Sequence, residues 1–180
     1  MDIILTEEQL ANIVGGKSNF DKIMDSFIDE FPNEMKENAN KLKSFLKNYI
    51  TKTKYNIKFL NSCSAGFAGV RTKDQIIICK PTSGLGDFIY TIFHEIRHEE
   101  QISKLKMPNP LSEFDLKDFE KLYKHYWEME LDADQFAKNK VAQLIIKSKI
   151  PIDFAKQKFG LSPYVEKYPT MSNMIKSMIL

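Results

Sequence analysis

Two histidines four positions apart, with a glutamate after the first, stand inside a run of apolar residues that recur at helical intervals. His94, Glu95 and His98 are interleaved with Phe88, Ile89, Ile92, Phe93 and Ile96, and the rhythm continues to Ile102 and Leu105. Such spacing predicts a helix with a broad apolar face. Residues i and i+4 of a helix share one face, so both imidazoles can reach a single ion, with Glu95 projecting beside them. The local punctuation agrees. Residues 81–86, Pro-Thr-Ser-Gly-Leu-Gly, form a loop by composition; Asp87 follows as an N-cap, and the helix is expected to end before Pro108.

A five-residue H-E-x-x-H pattern arises by accident in roughly one chain of this length in a few hundred, so its surroundings must decide. Catalytic zinc ordinarily takes three protein ligands and a water. A second acidic stretch follows at Trp127-Glu128-Met129-Glu130-Leu131-Asp132-Ala133-Asp134, flanked by Leu122, Tyr123 and Tyr126 and by Val141, Leu144 and Ile145. It reads as a second long helix, on which Glu130 and Asp134 again stand four apart. Glu128, Asp132 and Asp134 are alternatives to Glu130 as a third ligand. Pro108, Asn109, Pro110 and Ser112 supply a loop between the two helices.

Before the first helix lie three short segments of strand character. Residues 55–60 alternate apolar and polar, residues 66–71 follow, and residues 75–80 are rich in isoleucine. The short polar link Thr72-Lys73-Asp74 makes the last two an expected hairpin.

Across roughly residues 55–145 this order resembles the gluzincins, the thermolysin-like zinc peptidases, whose H-E-x-x-H is followed on a later helix by E-x-x-x-D. The resemblance implies zinc held by His94, His98 and Glu130. It also implies that Asp134 accepts a hydrogen bond from a ligand histidine, and that Glu95 is the general base for hydrolysis of a peptide or protein substrate. In that family the substrate lies along an edge strand, here either the first or the second segment. The metzincin extension is not met, since Gln101 and Lys104 occupy its Gly and His positions. Tyr123, His125, Tyr126 and Arg97 are candidate oxyanion donors. Of these, His125 is taken as a catalytic residue, and Arg97 is expected to pair with a carboxylate on the return helix.

The expected fold is α+β: a small zincin-like arrangement with a short, mostly antiparallel sheet packed on the H-E-x-x-H helix and a second ligand-bearing helix. With 180 residues one domain is expected, comprising a helical N-terminal extension (1–54), a zincin core (55–147) and C-terminal helices (148–180). In the extension, Phe20, Ile23, Met24, Phe27, Ile28 and Phe31 form an apolar stripe, broken at Pro32 and resumed by Met35, Leu42, Phe45, Leu46, Tyr49 and Ile50. Met171, Met174, Ile175, Met178 and Ile179 read as a last short helix.

A formal net charge of +2, with lysines and acids interspersed, gives no reason to expect nucleic acid. No apolar run approaches the ~20 residues that span a bilayer, so a cytoplasmic protein is expected, or a virion component if the chain is phage-encoded, as its wealth of Lys, Asn and Ile suggests. Cys63 and Cys79 lack metal-ligand spacing; standing in or beside strands they could form a disulfide, but two buried free thiols in a reducing compartment are the expectation. Residues 5–16 resemble a double-glycine leader, whose removal would start the mature chain at Lys17. An amphipathic helix capped by Thr6 and stopped by Gly15 is the preferred account. Two alternatives to a general peptidase are a catalytically weak zincin-fold binding or structural protein and a toxin that cleaves a single target.

Overall fold

The computed structural model describes residues 18–63, 68–72, 74–103, 119–151 and 154. The leader-like segment, the loop around Pro108 and the C-terminal methionine helix lie outside these residues. The class is α+β, with four helices and a three-stranded mixed sheet among the described residues.

Helix α1 (Asn19–Ile28) starts at Ser18, whose Oγ accepts from the Asp21 N–H at 3.2 Å. Its stripe of Phe20, Ile23, Met24, Phe27 and Ile28 is buried. After Pro32 a 3₁₀ turn (Asn33–Met35) leads into α2 (Lys36–Thr53), which ends at Lys54 in the left-handed conformation, φ 60°. Ala39, Leu42 and Leu46 carry the buried face of α2, whereas Phe45, at the margin of that stripe, is 42% exposed.

Strands β1 (Ile57–Leu60), β2 (Gly69–Arg71) and β3 (Ile76–Cys79) lie in the order β1-β3-β2. The expected hairpin is present: β2 runs antiparallel to β3, and the turn is closed by the Thr72 N–H donating to Gln75 O at 2.8 Å. β1, however, runs parallel to β3 over Ile57–Leu60, so the sheet is mixed rather than mostly antiparallel. β2 occupies one side of β3 and β1 the other. Apolar alternation marks which face of a strand is buried but not the direction of its partner. This parallel pairing also brings the end of β3 beside the segment after β1. There Cys63 and Cys79 are joined as a disulfide with Cα atoms 5.9 Å apart, which corrects the expectation of two free thiols.

Helix α3 (Leu85–Ser103) begins just after Gly84, whose φ of 123° suits only glycine. Asp87 therefore lies in the first turn rather than at the N-cap, where a carboxylate still favours the helix dipole. Phe88, Ile89, Ile92, Phe93 and Ile96 of α3 are almost wholly buried. Each such side chain contributes on the order of 1.5–3 kcal/mol of burial free energy. Helix α4 (Phe119–Lys147) packs against α3 and α2, and its Met129, Ala133, Ala137, Val141 and Leu144 are buried. The buried side chains of α1, α2, the sheet, α3 and α4 form a single apolar cluster. Among the described residues no helix is long and apolar enough to cross a membrane.

Candidate metal centre

On α3 the apolar face is interrupted by a polar line. Tyr90, His94, His98 and Gln101 follow one another at spacings of four, four and three, so they stack along the side turned to α4. From α4, Glu130 and Asp134, one turn apart, meet this line. His94 Nε2 lies 3.0 Å from His98 Nε2, and each is 3.2 Å from a different Glu130 oxygen. Ligand atoms of the three residues all fall within 4.8 Å of one another, and all three side chains are half-buried.

The remaining ring nitrogens face acceptors. His98 Nδ1 is 2.9 Å from Gln101 Oε1. Asp134 Oδ1 lies 3.2 Å from His94 Nδ1, an ion-pair distance at which the approach falls outside hydrogen-bond angles, and it accepts from the Tyr90 hydroxyl. The Gln101 acceptor favours Nδ1–H on His98, and the Nε2 atoms of both rings face the Glu130 carboxylate. Two imidazole lone pairs and one carboxylate converging on a point is the donor set of a divalent transition-metal site. The residues present fit such an ion.

The same convergence shapes proton affinities. Burial would raise the Glu130 carboxyl, but the hydrogen bonds and charges of His94 and His98 outweigh it and hold it well below the usual carboxylate range. Burial would lower His98, but Glu130, with help from Gln101 and Glu95, outweighs it and raises the imidazole above its ordinary value. Glu95 behaves differently. Its burial dominates over the pull of His94 and His98, so its carboxyl is raised above its ordinary value.

Glu95 stands against strand β2. A Cβ placed on Gly69 would lie 2.6 Å from Thr91 Cγ2 and 2.9 Å from Glu95 Cγ, so only glycine lets this strand close on the helix here. Two residues on, the Arg71 Nε donates to Glu99 at 2.6 Å. Among the described residues both β1 and β2 are edge strands, and β2 is the one seated beside Glu95.

The alternatives for the third ligand separate cleanly. Glu128 is exposed. Asp132 takes a two-point contact from Arg97, at 2.7 and 3.2 Å, as anticipated for that arginine. Asp134 stands behind His94 at Nδ1, leaving Glu130 in the group with both Nε2 atoms. His125 is half-buried on α4. Five helical residues place it about 140° around the axis from Glu130, and it is not part of the group of three. Tyr123 and Tyr126 belong to the stretch of α4 whose side chains lie outside the described residues. Gln101, Tyr90 and Gly69 were not picked out as site residues from sequence. The first two share the helical phase of His94 and His98, which was a usable signal; the third depends on a contact between strand and helix.

Compared with protein-family models, with curated proteins and with solved structures, the chain matches none.

Proposed function

We propose that this chain is a zinc-dependent metallopeptidase of the gluzincin type. The observation that carries the reading is the meeting of His94, His98 and Glu130 from two helices, with their ligand atoms within 4.8 Å and Glu95 beside them. A bound zinc ion would supply Lewis acidity toward a scissile carbonyl and toward water. The chain's own residues do the rest. Gln101 holds the His98 imidazole by its Nδ1 side, and the Asp134 carboxylate lies 3.2 Å from His94 Nδ1. The Glu95 carboxylate accepts a proton as water attacks the amide carbon, then returns it to the departing amine nitrogen. The edge of β2 beside Glu95 offers backbone groups to an extended peptide, which would add as a further strand. The Arg97–Asp132 contact braces α3 against α4 below the site.

Metal content and hydrolysis of a mixed peptide library test this reading together. Wild type is expected to hold one zinc per chain, with His94→Ala and Glu130→Ala losing it. Glu95→Gln is expected to keep the metal and lose hydrolysis by roughly 10²–10⁴-fold. Zinc without hydrolysis in wild type would leave a metal-binding module; no zinc even after reconstitution would overturn the reading.

A further inference from the structure

Gln101 is fully buried, and every polar atom of its side chain is engaged. Its amide nitrogen donates to Met129 O at 2.8 Å and to Asp132 Oδ2 at 2.7 Å. Both of these partners can only accept, so the amide cannot be turned around without setting oxygen against oxygen twice. Its Oε1 therefore faces His98 Nδ1, 2.9 Å away. An amide oxygen only accepts, so this ring nitrogen must carry the hydrogen. The lone pair of His98 is then confined to Nε2, which faces His94 and Glu130.

We infer that Gln101 is a positioning residue of the metal centre: anchored on α4 by two donated hydrogen bonds, it fixes both the tautomer and the ring direction of His98. This rests on the metal-centre reading above. The device ties the two ligand-bearing helices through one side chain. Met129 and Asp132 flank Glu130, so the amide that orients the second histidine is gauged by the same turn of α4 that delivers the third ligand. Asp132 is held in turn by Arg97, one residue before His98, which closes the loop of contacts. Groups that orient ligand imidazoles typically alter metal affinity by 10–100-fold when removed.

The test compares zinc dissociation constants of wild type, Gln101→Leu and Gln101→Glu by chelator competition, alongside the melting temperatures of the metal-free proteins. Gln101→Leu removes the acceptor and is expected to weaken zinc binding by roughly 10–100-fold. Gln101→Glu restores an acceptor for His98 Nδ1–H while giving up both donors to α4. With carboxylate oxygen set against Met129 O and Asp132 Oδ2, it is expected to melt lower than wild type yet bind zinc at least about threefold more tightly than Gln101→Leu. A strut that merely joins the helices predicts instead that both variants lose affinity alike, in step with melting temperature, and that result would overturn the inference. So would wild-type affinity in Gln101→Leu, leaving the metal centre itself intact. Failure of wild type to bind zinc would overturn the metal centre and this role with it. If Gln101→Leu does not fold, Gln101→Met takes its place as the variant without the amide acceptor: affinity at least about threefold below that of Gln101→Glu supports the role, and equal affinity refutes it.

Discussion

The α1–α2–sheet side of the molecule and the α3–α4 seam solve the same packing problem with opposite chemistry. Around Phe88 the first is almost purely apolar: its ring lies 5.8 Å from that of Phe27 and 6.0 Å from that of Phe59. That side also buries one charged group, Asp21, which is paired with Lys43 at 3.1 Å and Lys47 at 2.6 Å. The seam buries Gln101 and Asp134 outright and half-buries two histidines and a glutamate. Buried polar groups cost free energy unless each finds a partner. The seam gives Gln101 three hydrogen-bond partners and Asp134 the Tyr90 hydroxyl, and leaves His94 Nδ1 buried without a hydrogen bond.

The contrast can be broken first on the apolar side. Phe88→Ala is expected to destabilise the fold by roughly 3–5 kcal/mol, read as a shift in the urea unfolding midpoint, while zinc affinity under native conditions stays within about twofold of wild type. A parallel fall in affinity would mean that the two regions are not separable. A smaller effect is expected where they touch. Gly69→Ala forces a methyl against Thr91 and Glu95 and is expected to slow hydrolysis by about 10–100-fold with metal content unchanged. Unaltered hydrolysis would show that Glu95 tolerates displacement.

The smallest effect concerns pH. Burial would raise Asp21, but hydrogen bonds from Lys47, Ser18 and Lys43 outweigh it and bring the carboxyl from 3.8 down to about 2. A carboxyl with a depressed folded-state pKa contributes stability above its unfolded value and loses it as pH falls through the folded one. The loss should therefore appear between about pH 4 and pH 2. Its size, discounted for the half-exposed Lys47, is about 1–2 kcal/mol. Asp21→Asn should flatten the stability profile in that window, and an unchanged slope would assign the acid sensitivity elsewhere.

Much of this arrangement was legible in the chain. The helices carrying His94, His98, Glu130 and Asp134 follow from apolar periodicity, and the pairing of each couple on one face follows from 3.6 residues per turn. The Arg97 contact to an acid on the return helix was also readable, because a charged residue inside a buried helix needs a partner. The direction of β1, the Cys63–Cys79 bond and the exposure of Phe45 were not.

By itself, then, the sequence determined the elements, the α+β class and the residues able to share an ion, because local spacing decides which side chains stand on the same face. Tertiary structure alone decided which of four neighbouring acids on α4 meets the two histidines. It also decided that Gln101 orients one of them and that Gly69 admits β2 to Glu95. The physical reason is common to all three. Each depends on the distance and rotation between elements far apart in the chain, which packing at the α3–α4 seam and the sheet edge sets and which no local periodicity encodes.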